Sequence, residues 1–177
     1  MVRDFAHRLQ TRKEILFVCQ GNICRSPFAQ AYANLRLAQL GITSYRIISA
    51  GCLPESGRSC PPDALAAANE HGVDLRKHRS RYIADIDLRR VAFIAVMDST
   101  DVLALKYFTP AHKIPLMLLG QSHDGNEAVH IEDPFQKGLE AFRACYALIR
   151  RSVDALIEEV CRVTAKNAVD MKDISRE

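Results

Sequence analysis

The chain lacks tryptophan altogether, and only 7% of its 177 residues are aromatic. No stretch interleaves aromatic with basic residues and no zinc-finger spacing occurs, so nothing supports nucleic-acid binding. Charge of one sign is scarce too: 24 Lys and Arg against 21 Asp and Glu leave a net charge of +3. That excess permits attraction of an anionic substrate and no more. No apolar run approaches membrane-spanning length, and the polar opening MVRDFAHRLQTRKE lacks a signal core. The expectation is therefore a cytoplasmic protein without membrane insertion. Six cysteines without a secretion signal read as reduced thiols rather than a disulfide framework. Internal repeats and low-complexity tracts are absent as well.

What is present suits one soluble domain: 48% hydrophobic and 25% charged residues in a chain long enough for a sizeable core. Residues 1–13 read as an N-terminal extension of frayed or variable structure. Ile15, Leu16, Phe17 and Val18 form a continuous apolar run, as in a strand covered on both faces. Pro27 suits the first turn of a helix, and Phe28, Tyr32, Leu35 and Ala38 recur at helical spacing up to Gly41. A second strand is predicted over 45–50 and a helix over 61–71, ended by Gly72. Residues 80–90 read as short helix, 91–97 as a third strand and 99–107 as a helix. Residues 112–118 suggest a fourth strand, with Pro115 favouring an edge. A polar loop over 120–134 precedes a helix from about 137 to 161, with an apolar stripe of Phe142, Tyr146, Ile149, Val153, Leu156 and Val160. Residues 162–177 form a polar tail that extends this helix or frays. Alternating strands and helices predict an α/β three-layer sandwich: a four-stranded parallel sheet with helices on both faces, flavodoxin- or Rossmann-like. Its site belongs at the carboxyl ends of the strands.

One such end carries chemistry. Residues 14–28 read EILFVCQGNICRSPF, with five residues between Cys19 and Arg25. The spacing alone is weak, because Cys52/Arg58 and Cys145/Arg151 share it. Context separates them. Cys145 and Arg151 lie inside a helical pattern, and Cys52 leads into a proline-rich stretch. Only Cys19 has a strand, a glycine-bearing loop and a helix start in order. Backbone amides from Gln20 through Gly21, Asn22, Ile23 and Cys24 to Ser26 can curl around an oxyanion at the helix N-terminus. Gly21 allows close approach, and Asn22 tolerates left-handed geometry. Arg25 can grip two phosphate oxygens. The helix terminus and the guanidinium both favour a Cys19 thiolate, and Ser26 can donate its hydroxyl to the sulfur.

VCQGNICRSP resembles the signature of the low-molecular-weight protein tyrosine phosphatases. Four further segments resemble that family in the same order: Ser49-Ala50-Gly51, PPDALAAANEHGVDLRKHRSR, VAFIAVMDST and Glu132-Asp133-Pro134-Phe135. The likeness implies a phosphatase-like domain over 14–161 and hydrolysis of phosphotyrosine through a cysteinyl-phosphate. Cys19 would be the nucleophile, Arg25 and the loop amides the phosphate clamp, and Asp133 the general acid and base. It implies no metal or cofactor, since Arg25 and backbone dipoles supply the charge. By motif, Asn22, Ser49 and His78 would form the network that holds the loop. Leu53 and Phe135 would line the substrate cleft, standing where the family often has a bulkier aromatic and a tyrosine. Cys24 matches a second loop cysteine able to form a reversible disulfide with the nucleophile. The implied partner is a phosphotyrosine protein, with a tyrosine kinase as a further one. Oligomeric state, organism and physiological substrate are not legible.

Two rivals use the same loop. Arsenate reduction on this fold needs a cysteine relay, and AVMDSTDVLALKYF offers none, leaving only Cys52 and Cys60. Intact Cys19, Arg25 and Asp133 argue against the other, a phosphotyrosine-binding module with little turnover. His123, Asp124, His130 and Glu132 lack a distinctive metal-ligand spacing.

Overall fold

In the computed structural model, residues 2–108, 114–120 and 129–174 are described. Four strands form one sheet: β1 (Glu14–Cys19), β2 (Arg46–Gly51), β3 (Val91–Val96) and β4 (Leu116–Leu118). All neighbours are parallel, in the order β2-β1-β3-β4. Every residue of β1 and β3 is buried, because both strands are interior and both faces are covered.

Side chains of β1 alternate between two cores. Ile15, Phe17 and Cys19 join the larger one, with α2 (Arg25–Gln39), α3 (Pro62–Asn69) and α5 (Leu139–Ile174). Leu16 and Val18 join the smaller one, with Ile48, Ile94, Val96 and Leu105 of α4 (Ser99–Leu105). The result is the predicted three-layer α/β sandwich. The predicted stripe on α5, from Phe142 to Val160, is buried throughout. Tyr146 on that stripe stacks flat on Phe28 of α2, with ring centroids 3.9 Å apart, and so fixes the helix behind the candidate loop.

Three expectations need correction. The opening residues form a helix, α1 (Val2–Thr11), which packs on α5 and β3 through the buried Leu9. A short polar segment is marginal as a helix alone; docking stabilises it. Residues 80–90 hold two 3₁₀ turns, Ile83–Asp85 and Leu88–Arg90, rather than an α-helix. The fourth strand is only three residues long and lies at the sheet edge, with the Pro115 carbonyl accepting from Ile94. Residues 112–113 of its predicted span lie outside the described residues, as does 121–128 of the predicted loop. The C-terminal helix continues beyond residue 161 to Ile174.

The strand order reverses direction between β1 and β3. The chain leaves β1 for β2 on one side and returns to β3 on the other, which opens a crevice beyond the carboxyl ends of β1 and β3. The Cys19 loop and the Met97–Asp101 turn meet there.

Candidate active site

Cys19 ends β1 opposite Gly51 of β2. Gly51 must lack a side chain: a Cβ there would sit 3.0 Å from backbone atoms of Gln20, Gly21 and Asn22. The loop therefore packs directly on the end of β2. The amides of Cys52 and Leu53 donate to the Gln20 carbonyl at 2.9 and 3.0 Å and staple it there.

Asn22 turns the loop at φ +51, a conformation Asn accepts more readily than most residues. Its side chain donates to Ser26 Oγ at 2.8 Å and to Ser49 Oγ at 2.9 Å, and accepts from the Arg81 amide at 2.9 Å. Ser49 in turn donates to Gln30. His78 Nε2 lies 2.8 Å from the Asn22 carbonyl. A carbonyl only accepts, so Nε2 carries the proton. The predicted trio of Asn22, Ser49 and His78 is thus brought together in one network, with Arg81 and Gln30 added. Tyr146 donates to the Cys24 carbonyl at 3.0 Å from the other side.

The loop amides then have a shared property. Among the described residues, no protein acceptor takes the backbone N–H of Gly21, Asn22, Ile23 or Cys24. Cys24 caps α2 without a side-chain bond. Unpaired donors at a helix N-terminus form an anion cradle. The side chains of Ile23 and Cys24 point into the apolar core, so these two residues offer the cradle backbone only.

Arg25 is 1% exposed, and its Nε is buried with no protein partner. Its other nitrogens are held: Nη1 by Asp98 at 2.6 Å and the Ile131 carbonyl at 3.0 Å, Nη2 by Asp133 at 2.8 Å. Asp101 lies 3.9 Å away. Burial opposes the Arg25 charge, but Cys19, Asp133, Asp101 and Asp98 together hold the guanidinium protonated beyond its usual range. The two turn acids differ. Burial works against Asp98, yet Thr100, the Asp101 amide and Arg25 outweigh it and keep it below the ordinary carboxylate value. Burial pushes Asp101 up to about 7, against Arg25 and with help from Asp98.

Cys19 Sγ lies 3.1 Å from Ser26 Oγ. The expectation of a thiolate-favouring site is only half of its electrostatics. Full burial is the largest cause and raises the thiol above its ordinary value, while Arg25 and the Ser26 bonds pull it down and Asp101 raises it. Burial also raises Cys24, and it pushes Cys52 and Cys60 up to about 12 each. All six cysteines are free.

Leu53 and Phe135 are both partly exposed, the latter donating its amide to Asp133 Oδ1 at 3.1 Å. Of the other Cys/Arg pairs, Cys145 and Arg151 lie within α5, and Arg58 pairs with Glu55. His123 and Asp124 lie outside the described residues. The residues that sequence reasoning missed are Asp98, Asp101, Arg81, Gln30 and Tyr146. A signal existed for the first two: both are acids just beyond the end of a buried strand, beside the site-bearing one.

Comparison with known proteins gives the family and the fold. The family model described as low molecular weight phosphotyrosine protein phosphatase matches residues 14–166. The chain is 36% identical over 148 residues to the probable low molecular weight protein-tyrosine-phosphatase EpsP of Ralstonia nicotianae, covering 84% of this chain and 96% of that one. Wzb of Vibrio vulnificus, solved with benzylphosphonate, superposes with a TM-score of 0.73 at 28% identity, over 83% of this chain and 98% of that one. The YwlE arginine phosphatase of Geobacillus stearothermophilus superposes with a TM-score of 0.77 at 26% identity, over 87% and 96%. A loop built as an oxyanion cradle, on this sheet order and with these likenesses along the domain, leads to one assignment: the chain belongs to the low molecular weight phosphotyrosine protein phosphatase family.

Proposed function

We propose that the chain hydrolyses phosphotyrosine phosphomonoesters by way of a cysteinyl-phosphate, with Cys19 as nucleophile, Arg25 and the loop amides as phosphate clamp, and Asp133 as general acid and base. The carrying observation is the set of unpaired donors around one sulfur: the amides of Gly21 to Cys24 and the buried Arg25 Nε. Buried donors without partners are costly and rare, and a phosphoryl group offers them three oxygens. In the first step Cys19 attacks phosphorus as the thiolate, the form that Arg25 and the Ser26 bonds favour, the phosphorus–oxygen bond to the ring breaks, and the departing oxygen takes a proton from Asp133. In the second, water attacks phosphorus, Asp133 accepts its proton, and sulfur leaves as the thiolate with Ser26 donating to it. Asp133 is bound to Arg25 Nη2 before substrate arrives. An incoming phosphoryl oxygen competes for that nitrogen and frees the carboxyl for the leaving group.

The implied partner is a phosphotyrosine protein, with a tyrosine kinase among the candidates. The test is phosphate release from an aryl phosphate and a phosphotyrosine peptide, set against a phosphoarginine peptide and arsenate. Cys19→Ser is expected to abolish turnover while retaining oxyanion binding. Asp133→Ala should slow substrates with poor leaving groups more than those with good ones; equal slowing would remove it as the acid. Tight peptide binding without turnover in the unmutated protein would overturn the enzymatic reading. Preference for phosphoarginine or arsenate would overturn the substrate.

A further inference from the structure

The face of the molecule behind the loop carries a feature the proposed reaction does not use. Between α2, β2 and the segment after α3 lies a polar cavity of about 480 Å³. Four cations line it, Arg46, Lys77, Arg79 and Arg81, together with His78 and Gln30. No carboxylate lies among its described lining residues. Of the nearest acids, Glu14 pairs with one lining cation, Arg46, at 3.1 Å and with Arg90 at 3.3 Å, and Asp74 pairs with Arg76 at 2.8 Å. Among the described residues, Lys77, Arg79 and Arg81 have no acid within ion-pair distance.

Two of the lining groups, Arg81 and His78, feel the neighbouring charge. Burial first, and then the charge of Arg46, hold Arg81 below its ordinary proton affinity, with Glu14 opposing. Burial, and then Arg81 and Arg79, lower His78, while the Asn22 carbonyl works the other way. Like charges gathered in a concave site raise the local potential, and an anion placed among them lowers it. The cavity falls within the size range of small-ligand sites. Its concavity, the slight net charge of the chain and the lack of stacking aromatics favour a compact polyanion over a nucleic acid.

We propose that this cavity at the outer edge of β2 binds a small polyphosphate anion, the chain being either inorganic or the phosphates of a nucleotide. Arg46 at the start of β2 and Lys77 with Arg79 across the cavity supply the exposed charges. Arg81 anchors the site to the fold, donating from Nη2 to the Ser49 carbonyl at 2.8 Å. Three lining residues, Gln30, His78 and Arg81, are the ones that hold Asn22 and Ser49 behind the loop. Occupation therefore bears on the loop as well, and that consequence, unlike the binding itself, rests on the phosphatase reading above.

The test is calorimetric titration of the full chain with inorganic tripolyphosphate at low salt. One-to-one binding is expected, and it should persist when orthovanadate saturates the Cys19 loop. The triple variant Arg46→Gln, Lys77→Gln, Arg79→Gln should bind at least about tenfold more weakly, with an unchanged circular dichroism spectrum and unchanged aryl phosphate turnover. Titration with ATP separates the sources: tighter binding than tripolyphosphate assigns a nucleotide, and weaker binding an inorganic chain. Equal binding by the triple variant, loss of binding under vanadate, or no binding in the unmutated protein would overturn the site and leave the cations as guards of an edge strand. The titration is independent of turnover, so an inactive protein that still binds tripolyphosphate would sink the phosphatase reading and spare this one.

Discussion

The two sides of the Cys19 loop are built from opposite charges. In front, one cation sits among acids: Arg25 has Asp98 at 2.6 Å, Asp133 at 2.8 Å and Asp101 at 3.9 Å. Behind, His78, Arg79, Arg81 and Arg46 face each other without an acid lining the space. The difference follows from burial. A guanidinium that is 1% exposed needs opposite charge close by, or its desolvation would unfold the site. The rear cations are mostly in contact with water and tolerate crowding. What holds the loop from behind is instead a chain of hydrogen bonds through Asn22, Ser49 and Gln30, which water-screened charge could not position as well. Front charges meet one buried guanidinium, and rear hydrogen bonds hold the shape of the loop.

Loss of the front guanidinium fork, with its charge kept, should remove activity and spare the fold. Arg25→Lys keeps a cation facing Asp98 and Asp101 but loses the fork. With two phosphate donors removed at about 10²-fold each, kcat/KM should fall about 10⁴-fold while chemical denaturation midpoints barely move. A large drop in stability with activity retained would break the comparison.

Asp101 offers a sharper probe, because the front charge there is tunable by pH. Folded Asp101 holds its proton to about pH 7, whereas an unfolded aspartate releases it near the ordinary carboxylate value. Its contribution to stability is full below that ordinary value and is lost as pH rises through the folded one. Between about pH 5 and about pH 8 the loss should be about 3 kcal/mol. Asp101→Asn stays neutral and should flatten that dependence in urea denaturation. An unchanged slope would mean that Arg25 already keeps Asp101 ionised.

The rear network should show the smallest effect and the reverse pattern, stability before chemistry. Asn22→Ala removes three side-chain hydrogen bonds and leaves φ at +51, at a cost of about 2 kcal/mol. Asn22→Gly relieves the backbone part and should recover about 1 kcal/mol of it. Equal losses for the two variants would show that the turn stores no strain.

Much of this was legible in the chain because it depends on short-range pattern. The apolar run of β1, the stripe from Phe142 to Val160 and the loop between Cys19 and Arg25 are each contiguous or periodic, and each appears where periodicity puts it. The helix α1 escaped although Val2, Phe5, Ala6 and Leu9 recur at helical spacing: the run is short, and docking on α5 and β3 stabilises it. The 3₁₀ turns before β3 escaped for a similar reason: two tight turns and one weak helix share the same local composition. Asp98 and Asp101 are ordinary acids after a strand until the crossover brings them to Arg25, which lies 73 residues away from Asp98 in the chain.

By itself the sequence settled the order of elements and the strand, loop and helix start around Cys19, since both are written in local spacing. Only the tertiary structure decided how those residues are charged and supported. Burial and proximity are properties of the packed sheet: they raise Asp101, oppose the Cys19 thiolate and leave Arg25 Nε without a protein partner. They also gather four cations behind the loop that no stretch of sequence shows as a group, because Arg46 meets Lys77, Arg79 and Arg81 only across the folded edge of β2.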